Sequence, residues 1–375
     1  MDHFQKILTQ LNKKDHDDDA IDRLNYSTTA KFLGVFAALI FAKQAVGNPL
    51  QCFIPAEYKL PWEKYIETYC FVENTYYVNS TLTQFPSHTA DRRSYELKYY
   101  QWMPYIFVLE AFICFMPKLI FKLLYSFAEM RVTDVIQYAW AKVKDVKNKN
   151  KEGKTTEAVA VDAFISKQLV DFNVFQIRPT KVAFGWYLTA IYFGMKLSML
   201  ASITIQLLLL QFFIKAETPF WGFGLMSDLY FGRDWRVNGY FPRVTFCDLE
   251  TRDLGQHRPH TIQCVLMLNM FIEKIYLFLW AWFLITFLVT VLNILYWCFR
   301  VFSRGKKLSM IDEALLQSGI TDPNARDARD IEYFIRHNLR YDGIVLLRLI
   351  DSNFGYINMS NVCKQLWESF RKAQE

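Results

Sequence analysis

The chain has 375 residues, a formal net charge of +6, 52% hydrophobic residues and 17% aromatic residues. Its apolar residues gather into long runs instead of amphipathic stripes, which excludes a string of ordinary soluble domains and points to lipid as the surrounding solvent. The small basic excess calls for no nucleic-acid partner, because Lys and Arg beside membrane exits account for it.

In chain order, residues 1–31 have no apolar core and carry the acidic cluster Asp15, Asp17, Asp18 and Asp19. No cleavable leader is expected there, and the cluster reads as solvated charge. The first span is read over 32–47, with Lys43 and Gln44 near its end, and the second over 103–125, interrupted by Glu110, Lys118 and Lys122. The third is read over 183–214. Apolar character begins at Val182 and passes Lys196 to reach Ile214, roughly 33 residues or about 50 Å as a helix, so its inner end must project. Lys196 is expected at the inner interface, its stem snorkelling to water. The fourth span is read over 271–302. Its centre, Ile275 to Phe299, holds no charge and exceeds the roughly 20 residues that cross a hydrocarbon core.

Arg131, Lys142, Lys144, Lys147, Lys149, Lys151 and Lys154 lie between the second and third spans, and Arg300, Arg304, Lys306 and Lys307 follow the fourth. Basic residues are retained on the cytoplasmic side, so segment 126–182 and both termini are expected inside and segments 48–102 and 215–270 outside. The Lys142–Lys154 stretch reads as a solvated segment, with an anionic-lipid or nucleic-acid patch as the other reading. Residues 303–375 read as cytoplasmic helices, with apolar runs at Met310–Leu316, Ile331–Leu339, Ile344–Ile350 and Val362–Phe370 and a break at Pro323.

Four cysteines fall in the two exterior segments, Cys52 with Cys70 and Cys247 with Cys264. An oxidising exterior favours disulfides there, and four cysteines allow three pairings. Cys114 and Cys298, inside apolar runs, and Cys363, in the charged tail, are expected to stay free. Both exterior segments are rich in aromatics and proline (Pro49, Pro55, Trp62, Trp221, Trp235, Pro242), a composition of ordered loops with short β-strands. Asn79-Ser80-Thr81 is a glycosylation sequon within the first of them. Lys43 and Glu110 lie at comparable depths in their spans, so an ion pair or two pore-lining charges would each explain them. Outward snorkelling of Lys43 is the third explanation.

Enzyme chemistry finds no foothold. His257 and His260 flank Pro259 without a completing ligand set, and His16 among aspartates lacks the spacing of a calcium loop. No phosphate-binding or dinucleotide fingerprint occurs. No cofactor and no metal are expected.

Just before the second span the chain reads Tyr99, Tyr100, Gln101, Trp102, then Met103 and Pro104. With two cysteines in each exterior segment and four spans, this string resembles the innexins, the invertebrate gap-junction proteins. Asp22-Arg23-Leu24-Asn25, Pro117-Lys118, Phe241-Pro242-Arg243 leading to Cys247-Asp248, Cys264-Val265-Leu266 and Glu273-Lys274 look like landmarks of that family. So do Asp342-Gly343, Leu347-Arg348-Leu349-Ile350, Asn353, Gly355 and Leu366-Trp367. Glu110, Met103 and the acidic N-terminal cluster depart from the pattern.

The resemblance implies an all-α membrane protein, a four-transmembrane-helix large-pore channel subunit with disulfide-linked extracellular loops and a helical cytoplasmic dome. It implies cross-loop pairing of Cys52 with Cys264 and Cys70 with Cys247. It also implies an N-terminal segment folded into the pore mouth, which makes Asp2, His3, Phe4 and Lys43 candidate pore-lining residues. The expected partners are other innexins in a homo- or hetero-oligomeric ring, an opposed hemichannel on the neighbouring cell, and membrane lipids. The expected location is the plasma membrane at gap junctions. Rival readings are an undocked hemichannel of pannexin type and a four-span adhesion protein of claudin type. Claudins keep a cysteine pair in the first loop only.

Overall fold

Backbone surrounded by lipid must satisfy its own hydrogen bonds, so long apolar runs fold as long helices. The computed structural model describes residues 18–55, 60–78, 85–86, 88–126, 185–214, 216, 218–232, 240–253, 255–320 and 327–372. Asp2, His3, Phe4, Asn79 and the Lys142–Lys154 stretch lie outside the described residues. Helix α1 covers Ala20–Ala45, with a π-helical turn at Leu24–Thr28. Next come β1 (Gln51–Cys52), α2 (Leu60–Glu73), β2 (Thr75–Tyr76), the short α3 (Thr89–Arg92), β3 (Glu96–Leu97) and α4 (Tyr99–Ser126). Helix α5 (Tyr187–Ile214), α6 (Trp221–Phe231), the hairpin β4 (Val244–Asp253) and β5 (Gln256–Val265), and α7 (Met267–Phe302) follow. Four helices close the chain: α8 (Arg304–Gln317), α9 (Ala328–Phe334), α10 (Arg340–Phe354) and α11 (Tyr356–Lys372).

The described chain is mostly helical, and α1, α5 and α7 are long and apolar enough to cross a membrane. Helix α4 matches α5 in length, at 28 residues each. The chain divides into two compact units. One comprises Met1–Leu24, Met116–Met199 and Val289–Glu375, the other Asn25–Phe115 and Leu200–Leu288.

The second unit contains an antiparallel five-stranded sheet in the order β1-β5-β4-β2-β3. Short strands were expected, and β1 to β3 have two residues each, but β4 and β5 run ten residues each. The hairpin pairs without interruption from Val244 with Val265 to Asp253 with Gln256, and Gly255 lies in the turn that joins the strands. Gly255 sits at φ +85°, a conformation that costs glycine little and lets so short a turn carry a long ladder. Pro259 is tolerated in β5 because, among the described residues, β1 pairs β5 at Cys264 and Val265 and Phe53 donates to the Gln263 carbonyl, all at the far end of the strand from the proline. The unit's core gathers Leu33, Ile40, Tyr100, Phe107, Tyr276 and Phe283, all 1% exposed or less.

In the first unit, α8 to α11 bury one face each. Phe334 meets Trp367 edge-on at 5.2 Å between ring centroids, and Phe370 closes on both. Cys363 is buried in this packing, and burial pushes its thiol up to about 12. The thiolate is the reactive form, so maleimide at pH 8 is expected to leave Cys363 unlabelled in the folded protein and to label it after denaturation. Mass mapping of the tryptic peptide reads the result. Rapid labelling before denaturation contradicts this packing.

Candidate functional site

Two arrangements bring together residues far apart in the chain, and each lies within one unit. The first is the sheet. Gln51 and Cys52 pair with Val265 and Cys264, and a disulfide joins Cys52 to Cys264 across a sequence separation of 212. A second joins Cys70 on α2 to Cys247 on β4, across 177 residues. Sulfurs of Cys52, Cys70 and Cys264 all lie within 4.8 Å of one another, so the two bridges are neighbours. In the chain-entropy view, closing a loop of this length restricts the unfolded chain by about 5 kcal/mol, against about 3 kcal/mol for Cys52 with Cys70. The second cross-bridge adds less, because the first has already brought its ends together.

The aromatic string before the second span has a specific task here. Helix α2 ends at Glu73 with Asn74 at φ +76°, a left-handed stop that asparagine tolerates. The last carbonyls of any helix lack intrahelical donors. The Tyr100 hydroxyl donates to the Phe71 carbonyl at 3.2 Å, and the Gln101 amide donates to the carbonyls of Phe71 and of Val72, the latter at 3.0 Å. Gln44 fixes the string in turn, donating to the Tyr100 carbonyl at 2.7 Å. Tyr100 and Pro104 are buried, Tyr99 is half-buried and Trp102 is 62% exposed. The string thus caps the helix that carries Cys70.

Asp248, beside Cys247, collects donors from three directions. Arg92 reaches both of its oxygens at 3.0 and 3.1 Å, the Tyr76 hydroxyl donates at 2.9 Å and the Thr261 hydroxyl at 2.8 Å. Burial first and the Asp248 carboxylate second hold the Tyr76 phenol well above its ordinary range. Near the start of α7, Asn269 donates to the Pro242 carbonyl at 2.7 Å. Arg243 meets Glu273 at 3.1 Å, and Glu273 meets Lys274 at 2.9 Å.

The second arrangement lies at the start of α1 and corrects two expectations. Asp18 of the acidic cluster is 0% exposed instead of solvated, and Lys196 is 1% exposed instead of snorkelling, while Asp22 is 1% exposed and Asp15 and Asp17 lie outside the described residues. Lys118 pairs with Asp18 at 2.9 Å, while Lys196 contacts both oxygens of Asp22 at 2.8 and 2.9 Å. Asp19 caps α1 in a capping box with Asp22, and its other oxygen accepts from Asn293 at 2.8 Å and Trp297 at 3.1 Å. Asn293 also accepts from Lys196 at 3.1 Å, and the Tyr192 hydroxyl donates to Asp22 at 3.2 Å. From α10, Asn353 donates to the Asp18 carbonyl at 3.2 Å and accepts from Arg23 at 3.4 Å. An isolated charge cannot be buried at tolerable cost, so each lysine is matched by an aspartate. Among the family-like landmarks, Asp22, Arg23, Lys118 and Asn353 meet at this one place.

A third expectation, the ion pair between Lys43 and Glu110, is corrected too. Glu110 is fully buried with neither carboxylate oxygen hydrogen-bonded. Around it, Gln206 donates to the Glu110 carbonyl at 3.2 Å and contacts the Cys114 sulfur at 2.7 Å. Lys43 instead folds over the end of its own helix, where a Cβ on Gly47 would lie 3.3 Å from its Nζ. A helix C-terminus favours a cation, so Lys43 has a local resting place.

Removing one member of a buried ion pair costs about 3–5 kcal/mol, whereas replacing both by apolar groups costs far less. Lys196→Met alone is expected to lower the thermal midpoint of the purified protein sharply, and Lys196→Met with Asp22→Leu to recover part of the loss. A double variant no better than the single one removes the pair as the cause. Gln101→Leu is expected to cost about 1–2 kcal/mol by stranding the α2 carbonyls, read as a lower midpoint with both disulfides still present on a tryptic map. An unchanged midpoint contradicts the capping role.

Residues 18–370 match the profile of the family described as Innexin. Among curated proteins of Caenorhabditis elegans, the chain is 34% identical to Innexin unc-9 over 364 residues, covering 96% of this chain and 94% of that protein. It is 34% identical to Innexin-3, covering 97% and 86% of the two chains, and 35% identical to Innexin-16, covering 97% and 92%.

Proposed function

The chain belongs to the innexin family, whose members are gap-junction channel subunits and not enzymes, and from that premise we propose how its residues serve the channel. It acts as a four-span subunit with cytoplasmic termini. Helix α4 is the remaining span, its 28 residues long enough for about 42 Å. Its charge at Lys118 is compatible with a span because Asp18 neutralises it at 2.9 Å. Subunits assemble as a homo- or hetero-oligomeric ring in the plasma membrane, since no four-helix subunit encloses a wide pore by itself. Ions and small metabolites pass by size and charge, with no dedicated binding site and no cofactor.

The observation that carries the docking role is the sheet in which strands from segments 48–102 and 215–270 pair and are bridged. A surface that must match an opposed copy has to be rigid before contact, because ordering it on contact subtracts from affinity. The hairpin β4–β5, with Phe53 81% exposed nearby on the β1 side, supplies such a surface for an opposed hemichannel. The buried aspartates hold the start of α1 in place. That anchorage supports a pore-mouth role for the residues before it, including Asp2, His3 and Phe4, with Lys43 at the other end of the helix. The Asn79 sequon, if glycosylated, would crowd the docking face.

Junctional current and dye transfer between paired expressing cells test the reading. Coupling across pairs is the expected result. Current in single cells alone would assign an undocked hemichannel, and neither current would assign an adhesion protein. Cys52→Ser with Cys264→Ser is expected to abolish coupling, and a tryptic map joining Cys52 to Cys70 would overturn the cross-loop frame.

A further inference from the structure

A cavity of about 530 Å³ opens where α5 begins and α7 ends, lined by Trp186, Phe302 and Tyr341 on its apolar side. Its polar side carries four cations, Arg304, Lys307, Arg336 and Arg340, against one carboxylate, Glu332. Glu332 is shared between Arg304 at 2.5 Å and Arg336 at 3.4 Å. Lys307 lies 4.4 Å over the Tyr341 ring, and among the described residues neither it nor Arg340 meets a carboxylate. Four cations held around one anion leave a strongly positive hollow.

Four further features argue that this convergence is built. Arg340 adopts φ +51° with ψ −160°, a conformation costly for any residue with a side chain and found where function demands it. It follows a π-helical turn over Ile335–Leu339, and such turns gather at functional sites. Its side chain lies flat on Gly185, where an added Cβ would come within 2.4 Å of the Arg340 Cδ. Only glycine leaves room for that placement. Arg304, which lines the hollow, is the first residue of α8, and Ser303 gives that helix no side-chain cap. Its first amides therefore lack intrahelical acceptors and add positive potential.

Basic residues, free amides and an aromatic wall together suit a phosphate-bearing anion. The neighbours narrow the choice. Trp186 is 52% and Phe302 44% exposed, at the ends of two helices long and apolar enough to cross a membrane, the position in which aromatic residues meet lipid headgroups. We infer that this cavity is a site for a polyphosphorylated anion, with the headgroup of an inner-leaflet phosphoinositide as the source that fits its place. The source, though not the anion chemistry, rests on the membrane topology proposed above.

The test uses the full-length protein in detergent and a fluorescent phosphatidylinositol 4,5-bisphosphate, with soluble inositol trisphosphate and phosphatidylserine as competitors. Saturable binding is expected, displaced weakly by phosphatidylserine. Lys307→Gln with Arg336→Gln removes two cations and is expected to weaken binding roughly thirtyfold, taking about 1 kcal/mol for each. Lys306→Gln, on a neighbouring lysine outside the cavity, is expected to change it less than twofold. Both variants are first checked for unchanged elution and a protected Cys363 thiol. Absent saturable binding, or equal loss in Lys306→Gln, overturns the site. Inositol trisphosphate competing as well as the lipid would keep the anion site and assign a soluble source, and dependence on the acyl chains would assign the lipid. Binding retained in a protein that gives no junctional current would overturn the channel reading and leave the cavity's role standing.

Discussion

A charge removed from water has to be met by an opposite charge, and the first structural unit is arranged around that requirement. Two lysines on helices α4 and α5 would be intolerable in apolar surroundings by themselves. Asp18 and Asp22, at the start of α1, meet them. Asn293, Trp297, Tyr192 and Asn353 then take up the remaining donors and acceptors. Buried pairs of this kind contribute little net stability over a well-packed apolar alternative. What they do here is tie the start of α1 to α4 and α5 through Lys118 and Lys196.

The second unit meets a different constraint with covalent bonds. Two-residue strands such as β1 and β2 make too few hydrogen bonds to hold a sheet together by themselves. The bridges Cys52–Cys264 and Cys70–Cys247 supply what the short ladders lack, and Tyr100 and Gln101 close the end of the helix that presents Cys70. The string that resembles the innexin pattern is in this setting a helix cap. Its residue types follow from the task, since a phenol and an amide are long enough to reach carbonyls one helix away and stay neutral while doing so.

Both arrangements bear on a channel subunit. Docking asks for a surface that keeps its shape before contact, and permeation asks for a pore mouth of fixed position. In the function proposed above, disulfides would serve the first and buried ion pairs the second. Exposure follows the same division. The hairpin β4–β5 runs on past the residues that β1 and β2 pair, whereas Asp18, within the acidic cluster, is closed to water and paired.

Much of this was legible in the order of residues. Apolar runs marked the long helices, because length and the absence of charge are local properties that lipid tests directly. Cysteine placement marked the bridged segments, and the string from Tyr99 to Trp102 with the later landmarks marked the family. Partner choice was not legible. Lys196 looked like an interfacial anchor because Asp22 stands 174 residues away, and Lys43 and Glu110 looked like a pair because equal depth says nothing about which face of a helix a side chain leaves. The three possible pairings of four cysteines were equally open, as was the length of β4 and β5, which depends on a turn that composition only hints at. The sequence by itself determined which segments meet lipid and which side chains needed partners, since both follow from residue type and near neighbours. Only the tertiary structure decided which partners they found, because contacts across more than a hundred residues are set by packing.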